Sequence, residues 1–244
     1  MNYTNTNLHK ELAGRNFTNH IAENVYPGRG IVIGRNHENS WIVIYWIMGR
    51  SSHSRNRIFR KENGILRTEA ANTSLVEDPT LIIYNAMRDV DNRIVVSNGS
   101  HTDTICEGLI QGESICTSMY TERHEQDAPN YTPRISGFFE RKESSMNLVK
   151  ISKSDFSAEH SEHHYYRYCK ISPGYGYCLT TYMGDGNPLP SFHGDPIMLP
   201  LEGDAEQIAD IYWQGLNADN RISLATRELG KSGKDRLKIV NRFQ

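Results

Sequence analysis

Short β-rich segments separated by polar turns recur along this chain, and they constrain its fold more than any other feature of the sequence. The first two are Ile31 to Gly34 and Trp41 to Met48. Asn36 to Asn39 between them is polar and turn-forming, so this region predicts a β-hairpin. Further strands are predicted at Ile65 to Ala70, Leu81 to Tyr84, Arg93 to Val96, Arg134 to Phe139, Leu148 to Ser152, Tyr165 to Ile171, Tyr175 to Tyr182, Ile222 to Ala225 and Leu237 to Val240.

Turn-forming residues indicate how some of these strands connect. Asp89 to Asn92 supplies a polar turn before the strand that begins at Arg93. Ser172-Pro173-Gly174 is a strong turn sequence, and it predicts that the strands on either side of it form a pair. The prolines and glycines between Gly184 and Pro200 favour an ordered loop over a linker between domains.

Two segments have the apolar spacing of an amphipathic helix. The first begins at Thr104, which forms a capping-box sequence with Glu107. The second follows Asp204, a residue type that caps helices, and residues 8–21 are a weaker candidate. The apolar stripes are Ile105, Leu109, Cys116 and Met119 in the first helix, and Ile208, Ile211, Tyr212 and Leu216 in the second.

Length and charge favour one domain and exclude several classes of partner. At 244 residues the chain can bury one large core, so we expect a single domain over residues 1–244, with a polar extension at 1–26 and a tail or strand at 231–244. No apolar run approaches the roughly 20 residues that span a bilayer, and no signal peptide is visible, so we expect a cytoplasmic protein that does not bind membranes. A net charge of −2 predicts no nucleic-acid partner. Whether the chain forms a homo-oligomer stays open.

Cysteine and histidine spacing matches no metal motif. The four cysteines form no CxxC pair, so we interpret them as structural thiols. His160 and His164 are four residues apart, but the segment does not match HExxH, and we expect a surface loop there. We therefore expect no metal. The sequence has neither a P-loop nor a GxGxxG motif, which agrees with the expectation of no cofactor. The cysteines are Cys106, Cys116, Cys169 and Cys178.

A basic stretch without acidic residues runs from Arg50 to Lys61. It is either a solvated strand edge or loop, or an edge that binds phosphate or carboxylate groups. If the stretch is a strand, Arg55 and Arg57 point to the same side, because strand side chains alternate.

The segment from Val95 to Thr104 passes from a predicted strand, through a polar turn, to a predicted helix start. Such a junction places backbone N–H groups and the positive end of a helix dipole beside small polar side chains, which suits an anion or a polar heterocycle. Junctions of this composition are also common structural devices, so the residues alone leave both interpretations open.

Within that segment, Ser97-Asn98-Gly99-Ser100-His101-Thr102-Asp103-Thr104 resembles the signature sequence of the archaeal-type IMP cyclohydrolases. Other segments resemble the same family in the same order, and together they span about residues 28 to 228. They are Gly28-Arg29 with Gly34-Arg35-Asn36, Arg50-Ser51 through Arg55, Asp78-Pro79 with Tyr84-Asn85, Glu125 through Asp127 with Asn130 and Thr132-Pro133-Arg134-Ile135, and Leu224-Ala225-Thr226-Arg227-Glu228. The N-terminal extension and the basic tail after Gly230 depart from the family pattern.

The resemblance implies both a fold and a reaction. The fold is α+β, a four-layer α/β/β/α sandwich similar to that of N-terminal-nucleophile hydrolases, without an N-terminal nucleophile. The strand-rich pattern agrees with packed sheets covered by helices. The reaction is closure of 5-formamidoimidazole-4-carboxamide ribotide to IMP with loss of water, so the expected partner is a small-molecule purine ribotide.

The resemblance also implies the residues of the site. Arg55 is expected to bind phosphate or polarise the amide, Tyr84 to donate or shuttle a proton, and Glu125 to act as general acid and base. Each has an ordinary structural interpretation as well, such as a core aromatic or a solvated acid. Expected substrate contacts come from Asn85, Asn98, Ser100, His101 and Arg134.

Two other functions are compatible with the sequence. One is a related hydrolase of a different cyclic amide or amidine, and the other is a catalytically silent protein that binds purine nucleotides. The joint presence of Arg55, Tyr84 and Glu125 favours an enzyme over the silent binder, because binding alone would not need the acid. The sequence does not separate the two enzymes.

Overall fold

A computed structural model describes residues 3–76, 82–141, 143, 145–230, 233 and 235–243, with side chains from residue 7 onward. The described residues form an α+β fold with two antiparallel sheets and a few helices. The strands are β1 Gly30–Arg35, β2 Trp41–Met48, β3 Ile58–Glu62, β4 Ile65–Glu69, β5 Tyr84–Val90, β6 Arg93–Ser97, β7 Arg134–Glu140, β8 Met146–Lys153, β9 Ser161–Tyr168, β10 Tyr175–Thr180, β11 Ile197–Pro200, β12 Arg221–Leu229 and β13 Asp235–Asn241.

One helix lies at the N-terminus and the others lie between strands. They are α1 Tyr3–Phe17, which continues into a π-helical turn at Thr18–Ala22, α2 Ser52–Arg55, α3 His101–Ile110, α4 Ile115–Ser118 and α5 Ala205–Gly215, with a short 3₁₀ turn at Thr73–Leu75. Within the described part of the chain, no helix is long and apolar enough to cross a membrane.

The two sheets differ in size and in strand order. Among the described residues, the first contains six strands in the order β11-β10-β1-β2-β12-β13, and the second contains seven in the order β3-β4-β5-β6-β7-β8-β9. The predicted hairpin is confirmed, since β1 pairs with β2 in the register Gly30 to Trp46 through Arg35 to Trp41. Every residue of β1 and β2 is buried. Because strand side chains alternate between two faces, both faces of these central strands must be covered.

Three apolar clusters show what covers each face. The cluster between the sheets joins Val43 and Tyr45 of the first sheet to Phe59 and Ile94 of the second. On the outer face of the first sheet, residues such as Trp46 pack against α5 and the end of α1. On the outer face of the second sheet, α3 and α4 pack over β6 and β8. The sheets therefore pack face to face, with helices outside both.

One predicted strand pair is wrong. The strands around Ser172-Pro173-Gly174 do not pair with each other, because β9 pairs with β8 and β10 pairs with β1. The turn instead carries the chain from one sheet to the other, with Gly174 at a φ of 90°. A local turn sequence predicts a change of direction, but the choice of partner strand depends on distant residues.

The boundaries of β5 and the first predicted helix also differ from expectation. β5 runs through Asp89 and Val90, so the turn is confined to Asp91 and Asn92. Residues 78 and 79 of the family-like segment, and residue 81 at the start of the predicted strand, lie outside the described residues. The expected capping box at Thr104 is absent, because its hydroxyl donates to Glu122 Oε1 at 2.8 Å inside α3. The expected continuous helix is two helices, with Ser114 capping the second.

The basic stretch and the cysteines are also placed differently. Arg55 ends the short helix α2, so it does not share a strand face with Arg57. Cys116 and Cys169 are exposed, whereas Cys106 and Cys178 are buried as expected.

Other predictions are confirmed. The weak helical candidate near the N-terminus corresponds to α1, and β12 and β13 pair as closing strands. Asp204 caps α5: its Oδ1 accepts the N–H groups of Glu206 and Gln207 at 3.1 and 3.0 Å. The Gln207 side chain accepts the N–H of Asp204 in return at 3.1 Å. This reciprocal arrangement is a capping box.

We expect Asp204→Ala to lower the free energy of unfolding by about 1 kcal/mol, because two N–H groups of α5 lose their acceptor. Asp204→Asn is the matched control, since it keeps the capping oxygen and removes only the charge that faces Arg236 at 3.3 Å. Urea unfolding of the three proteins measures the effect. Equal loss of stability in both variants would show that the charge, and not the cap, stabilises the helix.

Candidate active site

Asn98 connects the turn between β6 and α3 to the start of β7 through hydrogen bonds. The residue is completely buried. Its Nδ2 donates to Pro133 O at 3.0 Å, and its Oδ1 accepts the Ile135 N–H at 2.8 Å. Its own backbone N–H donates to Ile135 O at 3.1 Å. Both ends of the Asn98 amide are therefore used to hold backbone.

His101 follows in the same turn and is completely buried as well. Its Nε2 lies 3.3 Å from Ile135 O, and its Nδ1 lies 2.9 Å from Nη1 of Arg134. A carbonyl oxygen can only accept and a guanidinium can only donate, so the ring is the neutral tautomer with its proton on Nε2. Burial, and next the charge of Arg134, lower the pKa of His101 to about 3.

Ser100 and Arg134 complete this part of the site. Ser100 is exposed at the N-terminus of α3, and its side chain makes no capping hydrogen bond. Arg134 donates from Nε to Arg123 O at 2.7 Å and also lies 3.7 Å from Glu122. Arg134 thus ties His101 to the loop that leads to Glu125.

Glu125 forms a two-point ion pair with Arg29. Nη1 and Nη2 of Arg29 donate to the two carboxylate oxygens at 2.8 and 3.1 Å. The side chains are only 13 % and 18 % exposed. Nη1 also donates to Asn98 O at 3.0 Å. Burial lowers the pKa of Arg29, but the charge of Glu125, the interactions with Tyr84 and Tyr45 and the hydrogen bond to Glu125 together outweigh burial, so the pKa lies well above its ordinary value.

Tyr84 pairs with a second tyrosine that sequence reasoning missed. The hydroxyl oxygens of Tyr84 and Tyr45 lie 2.6 Å apart, between the two sheets. Tyr45 is completely buried and Tyr84 is 6 % exposed. Burial, and next the hydrogen bond partner Tyr84, raise the pKa of Tyr45 well above its ordinary value, while the charges of Arg29 and Arg57 lower it in part.

Arg29 joins the ion pair to the tyrosine pair, since its charge acts on Tyr45 and Tyr84 as well as on Glu125. Tyr182 borders the same group: burial raises its pKa to about 12, and the charge of Arg29 partly opposes this. Of the predicted catalytic residues, Glu125 thus pairs directly with Arg29, and Tyr84 lies within reach of the charge of the same arginine.

Arg55 makes a different contact. Within the described part of the chain, its side-chain hydrogen bond is the one from Nε to Gly49 O at 3.1 Å. Arg57, two residues later, has a buried Nε without an acceptor among the described residues. The charge of Arg57 lowers the pKa of Tyr45.

Asn85 lies on the other face of the second sheet from its neighbour Tyr84. Its Nδ2 donates to the two carboxylate oxygens of Asp103 in α3, at 3.0 and 3.1 Å. Arg88 donates to the same carboxylate at 2.5 Å. Because adjacent strand residues alternate between faces, Asn85 and Tyr84 are not brought together.

Of the residues that sequence reasoning missed, Arg29 had a weak signal in the sequence and Tyr45 had none. Arg29 lies in the Gly28-Arg29 segment that resembles the family, although the resemblance gave it no role. Tyr45 lies within the apolar run of β2, where it looks like an ordinary core aromatic. No local pattern distinguishes such a tyrosine, because its partner Tyr84 is 39 residues away.

The histidine-rich segment is only partly a loop, because β9 begins at Ser161 and includes His163 and His164. Among the described residues, no group of three or more His, Cys, Asp or Glu side chains is arranged to hold a metal ion. A cavity of about 470 Å³ lies nearby on the outer face of the second sheet, between Phe138, Cys116 and Tyr165. Its walls include none of the predicted site residues, so its size alone gives no reason to place the chemistry there.

The environment of His101 predicts its titration. We expect the His101 ring signals in NMR spectra to stay unchanged from pH 8 to pH 5 and to titrate near pH 3. Because the folded pKa lies below the unfolded value of 6.5, the unfolded state binds more protons between these pH values. The free energy of unfolding should therefore fall as the pH drops below about 6.5, and fall less in His101→Gln. A midpoint near 6.5 in the folded protein would contradict the buried, neutral ring.

The chain matches the family of IMP cyclohydrolase-like proteins over residues 26–233. It is 26 % identical over 213 residues to the IMP cyclohydrolase of Methanocaldococcus jannaschii, across 86 % of this chain and 96 % of that protein. The IMP cyclohydrolase of Methanosphaera stadtmanae is 29 % identical over 164 residues, or 65 % of this chain and 74 % of that protein. That of Methanopyrus kandleri is 28 % identical over 171 residues, or 68 % and 79 %. The family match includes every residue of the site described above, and the chain belongs to the family of IMP cyclohydrolase-like proteins.

Proposed function

We propose that this chain is an IMP cyclohydrolase, the enzyme that closes the ring of 5-formamidoimidazole-4-carboxamide ribotide to form IMP and water at the end of purine biosynthesis. The observation that carries the proposal is the Arg29–Glu125 ion pair beside the Tyr45–Tyr84 pair. Relatives named IMP cyclohydrolase, which match most of the chain, support the same activity.

Ring closure needs a group that removes a proton from a weakly nucleophilic nitrogen, and we assign that role to Glu125. Each of its carboxylate oxygens accepts one hydrogen bond from Arg29 and has a further position at which it can accept another. The two-point contact fixes the orientation of the carboxylate, which a general base requires. Glu125 can then return the proton as a general acid.

The reaction also needs a proton donor for the departing hydroxyl group, and we assign it to Tyr84. Its oxygen is held by Tyr45, and the charge of Arg29 acts on it. A fixed positive charge beside the reacting oxygen stabilises negative charge that develops there, without any reorganisation of solvent.

The predicted polar residues divide between substrate binding and support of the turn between β6 and α3. Arg55 is proposed to bind the 5′-phosphate or polarise the amide, with Arg57 as a second cation. The hydrogen bonds of Asn98 and His101 favour a role in shaping the turn, whereas the Ser100 hydroxyl is exposed at the N-terminus of α3. Direct substrate contacts from Asn85, Asn98, Ser100, His101 and Arg134 stay predictions.

We also propose that the fold is the four-layer α/β/β/α sandwich of the N-terminal-nucleophile hydrolases, without such a nucleophile. The three apolar clusters, one between the sheets and one under the helices on each side, support this layering. Cytoplasmic residence and a single domain over residues 1–244 stay predictions, and self-association stays open.

One pair of measurements distinguishes IMP cyclohydrolase activity from the two alternative functions. An absorbance assay of IMP formation from the formylated ribotide, together with calorimetric IMP binding, is the test. Turnover supports the cyclohydrolase. Tight IMP binding without turnover identifies a silent binder, and neither turnover nor IMP binding would favour a hydrolase with another substrate.

We expect Glu125→Gln to lower kcat/KM for ring closure by about 10² to 10⁴, because a positioned acid–base group is lost. Glu140→Gln is the matched control, since Glu140 is also a half-buried carboxylate paired with an arginine, Arg93, but lies outside the site. Steady-state kinetics of both variants gives the comparison. A Glu125→Gln variant with the activity of the control would show that Glu125 is not the general acid or base.

We expect Arg55→Ala to weaken binding of IMP by about tenfold or more and to leave binding of inosine unchanged, because a charged hydrogen bond to phosphate is lost. Arg60→Ala is the control, as Arg60 is exposed and pairs with Glu69. Calorimetry with both ligands measures the effect. If both ligands lose affinity equally, Arg55 contacts the base or the amide and not the phosphate.

A further inference from the structure

The 2.6 Å separation of the Tyr45 and Tyr84 hydroxyl oxygens means that one phenol donates a hydrogen bond to the other. Each phenol has a single proton. The phenol that donates therefore uses its proton within the pair, and the other directs its proton elsewhere. The two possible directions have different consequences for the site.

Burial decides between the two directions. Tyr45 is completely buried, and within the described part of the chain Tyr84 is the one hydrogen-bond partner of its hydroxyl. If Tyr84 donated, the Tyr45 proton would be buried without an acceptor, which is unfavourable. If Tyr45 donates, the proton that points away from the pair belongs to Tyr84, the one of the two residues that retains some exposure, at 6 %. Burial also raises the pKa of Tyr45, which keeps the donating proton in place.

We infer that Tyr45 is a positioning residue, whose buried hydroxyl donates its proton to the Tyr84 oxygen and so directs the Tyr84 proton toward the bound substrate. This inference rests on the proposed function and deepens it, because it gives the proton donor a fixed orientation before substrate arrives. A pre-set donor does not have to reorient during the reaction.

In the dehydration step Tyr84 gives up one proton and Glu125 accepts one, so the protons balance. The hydroxyl on the former formyl carbon leaves as water when its carbon–oxygen bond breaks and it takes the Tyr84 proton. The ring N–H proton passes to the Glu125 carboxylate as the carbon–nitrogen double bond forms. Tyr84 is left as a phenolate, which the Tyr45 O–H bond and the charge of Arg29 stabilise. The proton on Glu125 then returns to Tyr84, so both residues recover their starting forms.

The kinetic test compares Tyr45→Phe, Tyr84→Phe and the double variant with the wild-type protein. We expect Tyr45→Phe to lower kcat tenfold or more with KM within twofold, because the aromatic ring at position 45 remains while the hydroxyl that orients the Tyr84 proton is lost. In the Tyr84→Phe background, Tyr45→Phe should have no further effect on kcat, since it acts through Tyr84. Tyr212→Phe is the control for loss of a buried hydroxyl, as Tyr212 donates to Pro200 O at 2.9 Å on the outer face of the first sheet.

A spectroscopic test does not depend on turnover. NMR of protein with labelled tyrosine rings should show a slowly exchanging hydroxyl proton whose strongest contact is with the Tyr45 ring hydrogens. That signal should be absent in Tyr45→Phe and retained in Tyr212→Phe.

The outcomes separate the inference from the proposed function. Wild-type kcat in Tyr45→Phe, or losses from Tyr45→Phe and Tyr84→Phe that add fully, overturn the inference while ring closure by the wild-type protein still stands. A bridging proton that belongs to Tyr84 also overturns it. A wild-type protein without turnover, whose bridging proton belongs to Tyr45, overturns the proposed function but supports the assigned direction of the hydrogen bond.

Discussion

The ion pair between Arg29 and Glu125 connects the parts of the chain that form the candidate site. Arg29 precedes β1, Glu125 lies in the loop before β7, and the same guanidinium reaches Asn98 O after β6. Two charges with so little exposure lose most of their hydration, and good geometry must compensate for that loss. Here the compensation comes from two parallel N–H bonds to the carboxylate and a third bond to a carbonyl. Removal of either partner would leave a buried charge unpaired, so the loop and the turn keep their positions together.

The close packing around Gly28 and Gly30 determines where Arg29 can lie. Gly28 has a φ of 74°, and a Cβ there would overlap the Thr181 hydroxyl. A Cβ on Gly30 would overlap the ring of Trp46 in the neighbouring strand. The Arg29 N–H donates to Thr181 Oγ1 at 3.0 Å, which fixes the backbone between the two glycines. The backbone of Gly28-Arg29-Gly30 therefore has no room to shift, and this fixes the point from which the charged Arg29 side chain extends.

Sequence reasoning identified most of the strands but not how they are distributed between the sheets. The run from Trp41 to Met48 was predicted to its exact ends, because an uninterrupted apolar segment between polar turns has few alternatives. The partners of β9 and β10 were wrong, because strand pairing is set by contacts between residues far apart in the chain. The same limit applies to the site. Family resemblance placed Tyr84 and Glu125 in it, but Tyr45 and the ion pair of Arg29 depend on contacts across 39 and 96 residues.

The surroundings of His101 narrow the choice of proton carrier. Imidazole is the usual general base in enzymes, and this one lies in the signature turn beside Arg134, within reach of the charge of Arg29. Yet both ring nitrogens are engaged, and burial between cationic groups holds its pKa near 3, so the ring stays neutral in the range where a base would operate. Arg29, in contrast, stays positively charged, because its ion pair with Glu125 stabilises the protonated guanidinium. The neutral His101 ring therefore helps to shape the turn, and Arg29 supplies a fixed positive charge. In the proposed reaction the protons are exchanged by Glu125, whose oxygens can accept further hydrogen bonds, and by Tyr84, whose hydroxyl we infer to be oriented by Tyr45.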